Sequence, residues 1–180
     1  EPQRIDGIGT THRSAFGRRG LAALPVVGEQ AGVTPVGLVD FLQPLASHYG
    51  EDWWFEAHYG MALSEIGQHD AARPRIERSL AQVRRNAYGA HAFAHLCYET
   101  GERDSGIAFM RDWLPLYDRN GGLYGHLTWH LGLFELHAGN LDAGFGLYND
   151  SFSADDHRGA VHQKLADSVA FLWRSELAGH

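Results

Sequence analysis

Small and apolar residues recur along this chain in a pattern that spells two helical stripes separated by a glycine. In Glu56–Leu80 the pattern is carried by Gly60, Gly67, Ala72 and Ile76. Ala94, Gly101, Gly106 and Met110 repeat it, and Gly132, Gly139, Gly144 and Tyr148 repeat it again. Gly101 lies 34 residues after Gly67, and Gly139 lies 38 after Gly101, which puts a longer loop around Asn120-Gly121-Gly122. Each copy predicts two antiparallel helices with a turn that needs positive φ, which glycine supplies at no steric cost. The pairs Gly60/Ala72, Ala94/Gly106 and Gly132/Gly144 then stand where helix backbones cross closely. Such a hairpin cannot bury its apolar stripe alone, so neighbouring hairpins must stack.

The predicted fold is therefore all-α: tetratricopeptide-type helix–turn–helix repeats stacked as a short α-solenoid. The repeats fall at about 52–84, 87–118 and 123–152, a repeat length typical of that class. Before them, Val33–Ser47 has helical spacing at Leu38, Phe41, Leu42 and Leu45, with Pro44 placed to kink or end the helix. After them, residues 156–177 carry Val161, Leu165, Val169, Leu172 and Trp173 on one face, which predicts a closing, capping helix. The domain thus spans 33–180. Residues 1–32 match no repeat and are expected to be irregular or loosely ordered, with at most a short helix near Leu21. Within them, Arg18–Gly28 has the charged-then-apolar order of a secretory signal. It is short, broken by Pro25 and followed by no clean cleavage site, so it is not read as one.

The stretches HYGEDWWF (His48–Phe55), AHAFAHLCYETG (Ala90–Gly101), GHLTWHLGLFEL (Gly125–Leu136) and FLWRSELAGH (Phe171–His180) resemble the tetratricopeptide repeat protein 38-like family. The resemblance covers residues 34 to 180, in histidine and tryptophan spacing as well as repeat frame. It implies an α-solenoid and no settled activity. Members of that family are usually longer, so the chain is expected to be part of such a protein.

Composition narrows the function classes. A net charge of −7 without a strong Lys/Arg cluster argues against nucleic acid as a partner. No apolar run reaches the 18 or so residues that a membrane helix needs. Cys97 is the single cysteine, which excludes an internal disulfide framework and a thiolate zinc cluster and makes a cytoplasmic setting the expectation. Its place in the repeat predicts a buried, inert thiol. Phosphate-loop, dinucleotide and hydrolase-elbow strings are absent.

Twelve histidines and five tryptophans remain to be placed. By resemblance to the repeat class, the first helix of each pair lines a concave groove. That stripe carries Trp54, Met61, Ser64 and Glu65 in the first repeat, with His58 beside it. His91, His95, Tyr98 and Glu99 follow in the second, then His126 and His137 in the third, with His130 beside them. The expected ligand-binding residues are Trp54, His58, His91, His95, Tyr98, Glu99, His126 and His130. The leading expectation is a binding scaffold for a peptide, protein segment or small molecule, with no catalytic residue and no cofactor assigned.

The alternative starts from His91/His95 and His126/His130, each an i, i+4 pair whose Cβ atoms sit about 6 Å apart on one helical face. That spacing can chelate a divalent metal, with His91, His95 and His126 as ligands and Glu99 as a further ligand or base. Ala92, Phe93 and Ala94 separate the first pair, so the glutamate base of an H-E-x-x-H protease is missing. A third class, self-association through apolar solenoid ends into a homo-oligomer, also stays open. The tryptophans are read chiefly as packing between helices, with Trp54 the one facing the groove. Glu65, Glu99 and Glu135 are read as solvated or capping as readily as functional.

Overall fold

The computed structural model describes residues 34–155 and 160–180. The expectations for residues 1–32 and for Arg18–Gly28 lie outside them. Among the described residues every regular element is helical. Packing divides the described residues into two compact units, one ending at Leu96 and the other beginning at Cys97.

In the first unit, α1 (Pro35–Leu42) begins on Thr34, whose side chain accepts from the Gly37 N–H at 3.1 Å, with Pro35 in the first turn. Pro44 ends it as predicted: a 3-10 turn (Gln43–Leu45) intervenes before the short α2 (Ala46–Tyr49). Asp52 caps α3 (Trp53–Glu65) by accepting from the Trp54 and Phe55 N–H groups at 2.9 and 3.1 Å. Trp53 through Ser64 are buried without a break, so α3 is enclosed on all sides. Its partner α4 (His69–Gln82) is amphipathic, burying Ala72, Ile76 and Ser79 at helical spacing. Pro74 sits inside α4, just past its first turn.

Close approach of α3 and α4 depends on Gly60. A Cβ there would stand 2.6 Å from Ile76 Cγ1 and 3.3 Å from the Ala72 carbonyl oxygen. On the same interface the fully buried Glu56 carboxylate takes Arg75 at 2.5 Å and Arg78 at 2.8 Å. Ser79 Oγ donates to the Trp53 carbonyl at 2.6 Å and accepts from Asn86 Nδ2 at 2.9 Å, which satisfies the buried polar atoms. The helix α5 (Ala87–Glu99) follows, and the division between the units falls within it.

In the second unit, α6 (Arg103–Trp113) buries Gly106, Met110 and Trp113, and a Cβ at Gly106 would press into the Phe134 ring at 2.6 Å. Like α3, α7 (Tyr124–His137) is buried over most of its surface. Glu135 on α7 is only 1% exposed, held by Arg111 at 2.6 Å and Asn140 at 2.9 Å, so it is neither solvated nor a cap. The chain then passes through α8 (Leu141–Leu147) and a π turn (Tyr148–Phe152) to α9 (Val161–Leu177).

Three turns share one backbone solution. Gly67, Gly101 and Gly139 have φ of 77°, 73° and 78°. After each, the next N–H reaches back to a carbonyl five residues earlier: Gln68 to Leu63, Glu102 to Cys97 and Asn140 to Glu135, at 2.8–2.9 Å. This is the Schellman arrangement, which satisfies carbonyls that the helix end would leave bare.

The closing helix differs from expectation in which face it buries. Val161, Leu165, Val169, Leu172 and Trp173 are exposed, Trp173 by 60%. The buried side is Asp167, Ser168, Phe171 and Ser175. Phe171 packs edge-on to Phe152 and parallel to Tyr148, and the small serines admit α9 close to its neighbours. Ser168 Oγ meets Tyr148 OH at 3.1 Å, and Ser175 Oγ donates to the Leu172 carbonyl at 2.7 Å. Among the described residues no helix is long and apolar enough to cross a membrane.

Candidate functional site

The first histidine pair sits on α5. His91 and His95 are one turn apart with rings edge-on at 4.5 Å, and their Nε2 atoms face each other at 3.0 Å. Glu65, from the last turn of α3, accepts from His95 Nδ1 at 2.9 Å. That contact fixes the His95 tautomer: Nδ1 carries the proton, so the lone pair lies on the Nε2 that faces His91. The hydrogen bond from His95 holds the Glu65 carboxyl below its ordinary value. Two imidazole nitrogens on one tetrahedral zinc stand about 3.3–3.4 Å apart, given bond lengths near 2.0–2.1 Å. The pair is close to that spacing.

A run of rings leads up to it. His58 stacks on Tyr88 at 3.9 Å and packs at a tilt against Trp54 at 4.1 Å, and Tyr88 stands edge-on to His91 at 5.8 Å. His58 Nδ1 donates to the Trp54 carbonyl at 2.8 Å. Burial, opposed by that bond and by Asp52, pulls the His58 imidazole down from 6.5 to about 4. His58 is thus neutral packing behind the pair. Trp54, expected to face a groove, is 5% exposed and buried. Met61 and Ser64 are buried as well, because α3 is enclosed all round.

The His58 shift predicts a pH dependence. Between pH 6.5 and about 4 the unfolded chain binds a proton that the folded protein refuses, so stability falls as pH drops through that window. The loss is about 1.4 kcal/mol per pH unit and about 3 kcal/mol in all. Urea unfolding at pH 7, 5.5 and 4.5 is expected to show a shallower slope for His58→Phe than for the wild-type chain. Equal slopes would refute it.

The second pair repeats the plan on α7. His126 and His130 are one turn apart with rings edge-on at 4.8 Å, and Trp129 stacks on His126 at 5.2 Å. Asp167 from α9, nearly buried, accepts from His126 Nδ1 at 2.9 and 3.1 Å. Gln163 donates to Asp167 Oδ1 at 3.2 Å. With the Nδ1 proton given to Asp167, the lone pair of His126 is on Nε2.

His130, placed by the repeat frame just off the groove stripe, joins His126 on one face of α7. Tyr98 instead stacks on His137 at 5.4 Å. Glu99, the expected further ligand or base, is exposed at the end of α5. Cys97 is buried, as its place in the repeat predicted. Asp167 and Tyr88 were not singled out by sequence reasoning. Asp167 lies 41 residues from His126, with no local pattern to join them.

No protein-family model matches the chain, and no solved structure matches it.

Proposed function

We propose that this chain binds a divalent transition metal through its i, i+4 histidine pairs, His91/His95 on α5 and His126/His130 on α7, carried on tetratricopeptide-type helical hairpins. The observation that carries the reading is the geometry of the first pair: two imidazole nitrogens 3.0 Å apart, with the Glu65 carboxylate behind one of them. Imidazole suits zinc, copper, nickel and iron and is a poor ligand for calcium or magnesium, which prefer oxygen. Neutral imidazoles leave the ion its full charge, and each pair has one carboxylate behind it to offset that charge, Glu65 behind His95 and Asp167 behind His126. The repeat reading is supported by the three turns of matching geometry at Gly67, Gly101 and Gly139.

The peptide-scaffold reading draws less support, since Trp54 and His58, expected to line its groove, are buried. Dialysis of untagged protein against zinc, followed by desalting and elemental analysis, is expected to give bound zinc, lost in a variant with His91 and His126 both replaced by alanine. Zinc no higher than in the buffer, or retention of all of it in that variant, would overturn the proposal.

A further inference from the structure

We infer that Glu65 and Asp167 are positioning residues that fix the tautomer and ring orientation of two of the metal-binding histidines; the inference rests on the metal reading above. The two carboxylates play the same part in different surroundings. Glu65 comes from the C-terminal turn of α3 and meets His95 Nδ1 at 2.9 Å. Asp167 comes from α9 and meets His126 Nδ1 with both oxygens, at 2.9 and 3.1 Å.

An imidazole presents one lone pair when neutral, and the hydrogen bond at one nitrogen decides that the other carries it. A carboxylate accepts and cannot donate, so opposite Nδ1 it forces the proton there and the lone pair onto Nε2. His95 Nε2 is the atom that faces His91 at 3.0 Å. Each carboxylate therefore aims a lone pair and also raises the basicity of the nitrogen that uses it.

Asp167 is held for this task. It is 4% exposed, it takes the Gln163 amide at 3.2 Å, and its neighbour Ser168 is tied to Tyr148. Burying a carboxylate costs several kcal/mol unless partners compensate it. A residue serving only to pack this face of α9 would have no need of the charge. Glu65, by contrast, is 39% exposed at its side chain and can lose its charge without disturbing the core.

The test uses cobalt(II), whose visible absorption reports coordination, and zinc by competition with a chromophoric chelator. The whole chain is compared with its Glu65→Gln, Asp167→Asn and Asp167→Glu variants. Each amide variant is expected to bind zinc 10–100-fold more weakly and to shift the cobalt spectrum. Asp167→Glu, which keeps the carboxylate, should recover at least part of the loss. Glu65→Gln keeps the question answerable if a substitution at buried Asp167 prevents folding. If wild-type protein binds zinc and both amide variants bind within threefold of it with unchanged cobalt spectra, the inference is overturned and the metal reading stands. If the wild-type chain binds neither metal, the metal reading falls and takes the inference with it.

Discussion

In a His91→Ala/His95→Ala variant, zinc affinity is expected to drop by on the order of a thousandfold or more, with helical content unchanged. Structural zinc sites of four ligands are worth about 10–16 kcal/mol, or roughly 2.5–4 kcal/mol for each ligand. Losing two ligands removes more than about 5 kcal/mol, and each 1.4 kcal/mol is a factor of ten. The fold should tolerate the change. Both histidines are only partly buried on α5, and alanine is the better helix former. A titration against a chromophoric chelator reads the affinity, and circular dichroism reads the helix. Binding within tenfold of wild type would mean that these rings do not hold the ion.

The second large effect is on stability. Replacing Arg75 and Arg78 together by methionine strands the Glu56 carboxylate, which is 0% exposed between α3 and α4. Removing the partners of a buried charge costs about 3–5 kcal/mol, because the charge left behind has neither water nor a cation. Arg75 also lies over the Tyr59 ring at 4.5 Å, so a smaller share of the loss is packing and cation–π contact. Adding Glu56→Gln to the double variant should restore part of the stability by removing the stranded charge. Chemical denaturation at pH 7 measures both. A double variant less than about 1 kcal/mol below wild type would show that the arginines do not sustain the buried carboxylate.

The helices and their turns were legible where chemistry leaves one inexpensive solution. Gly67, Gly101 and Gly139 could be placed because a helix that ends in the left-handed region calls for glycine. Pro44 could be read as a helix end because its ring forbids the preceding hydrogen bond. Periodicity failed where it reports a stripe without saying which stripe is buried. On α9 the apolar stripe through Val161, Val169 and Trp173 is exposed, while the side with Asp167, Ser168 and Ser175 is packed. Their hydroxyl and carboxylate groups find partners on Tyr148, on the Leu172 carbonyl and on His126. Trp54 was misplaced for a related reason: α3 is enclosed all round, so no stripe on it faces solvent.

The candidate site was legible by halves. The i, i+4 spacing marks His91/His95 and His126/His130 as chelating pairs, since that rule is local. Their carboxylate partners are a tertiary matter. Glu65 lies 30 residues from His95, and Asp167 lies 41 from His126. Glu99 was the more attractive acid in sequence because it stands one turn beyond His95, yet it is exposed at the end of α5. Proximity along the chain favoured the wrong carboxylate.

The most direct measurement is X-ray absorption at the zinc edge on the zinc-loaded whole chain. The account predicts imidazole nitrogen in the first shell at about 2.0–2.1 Å, with the outer-shell scattering of imidazole rings and no sulfur. A shell made of water and carboxylate oxygen without imidazole scattering would contradict it.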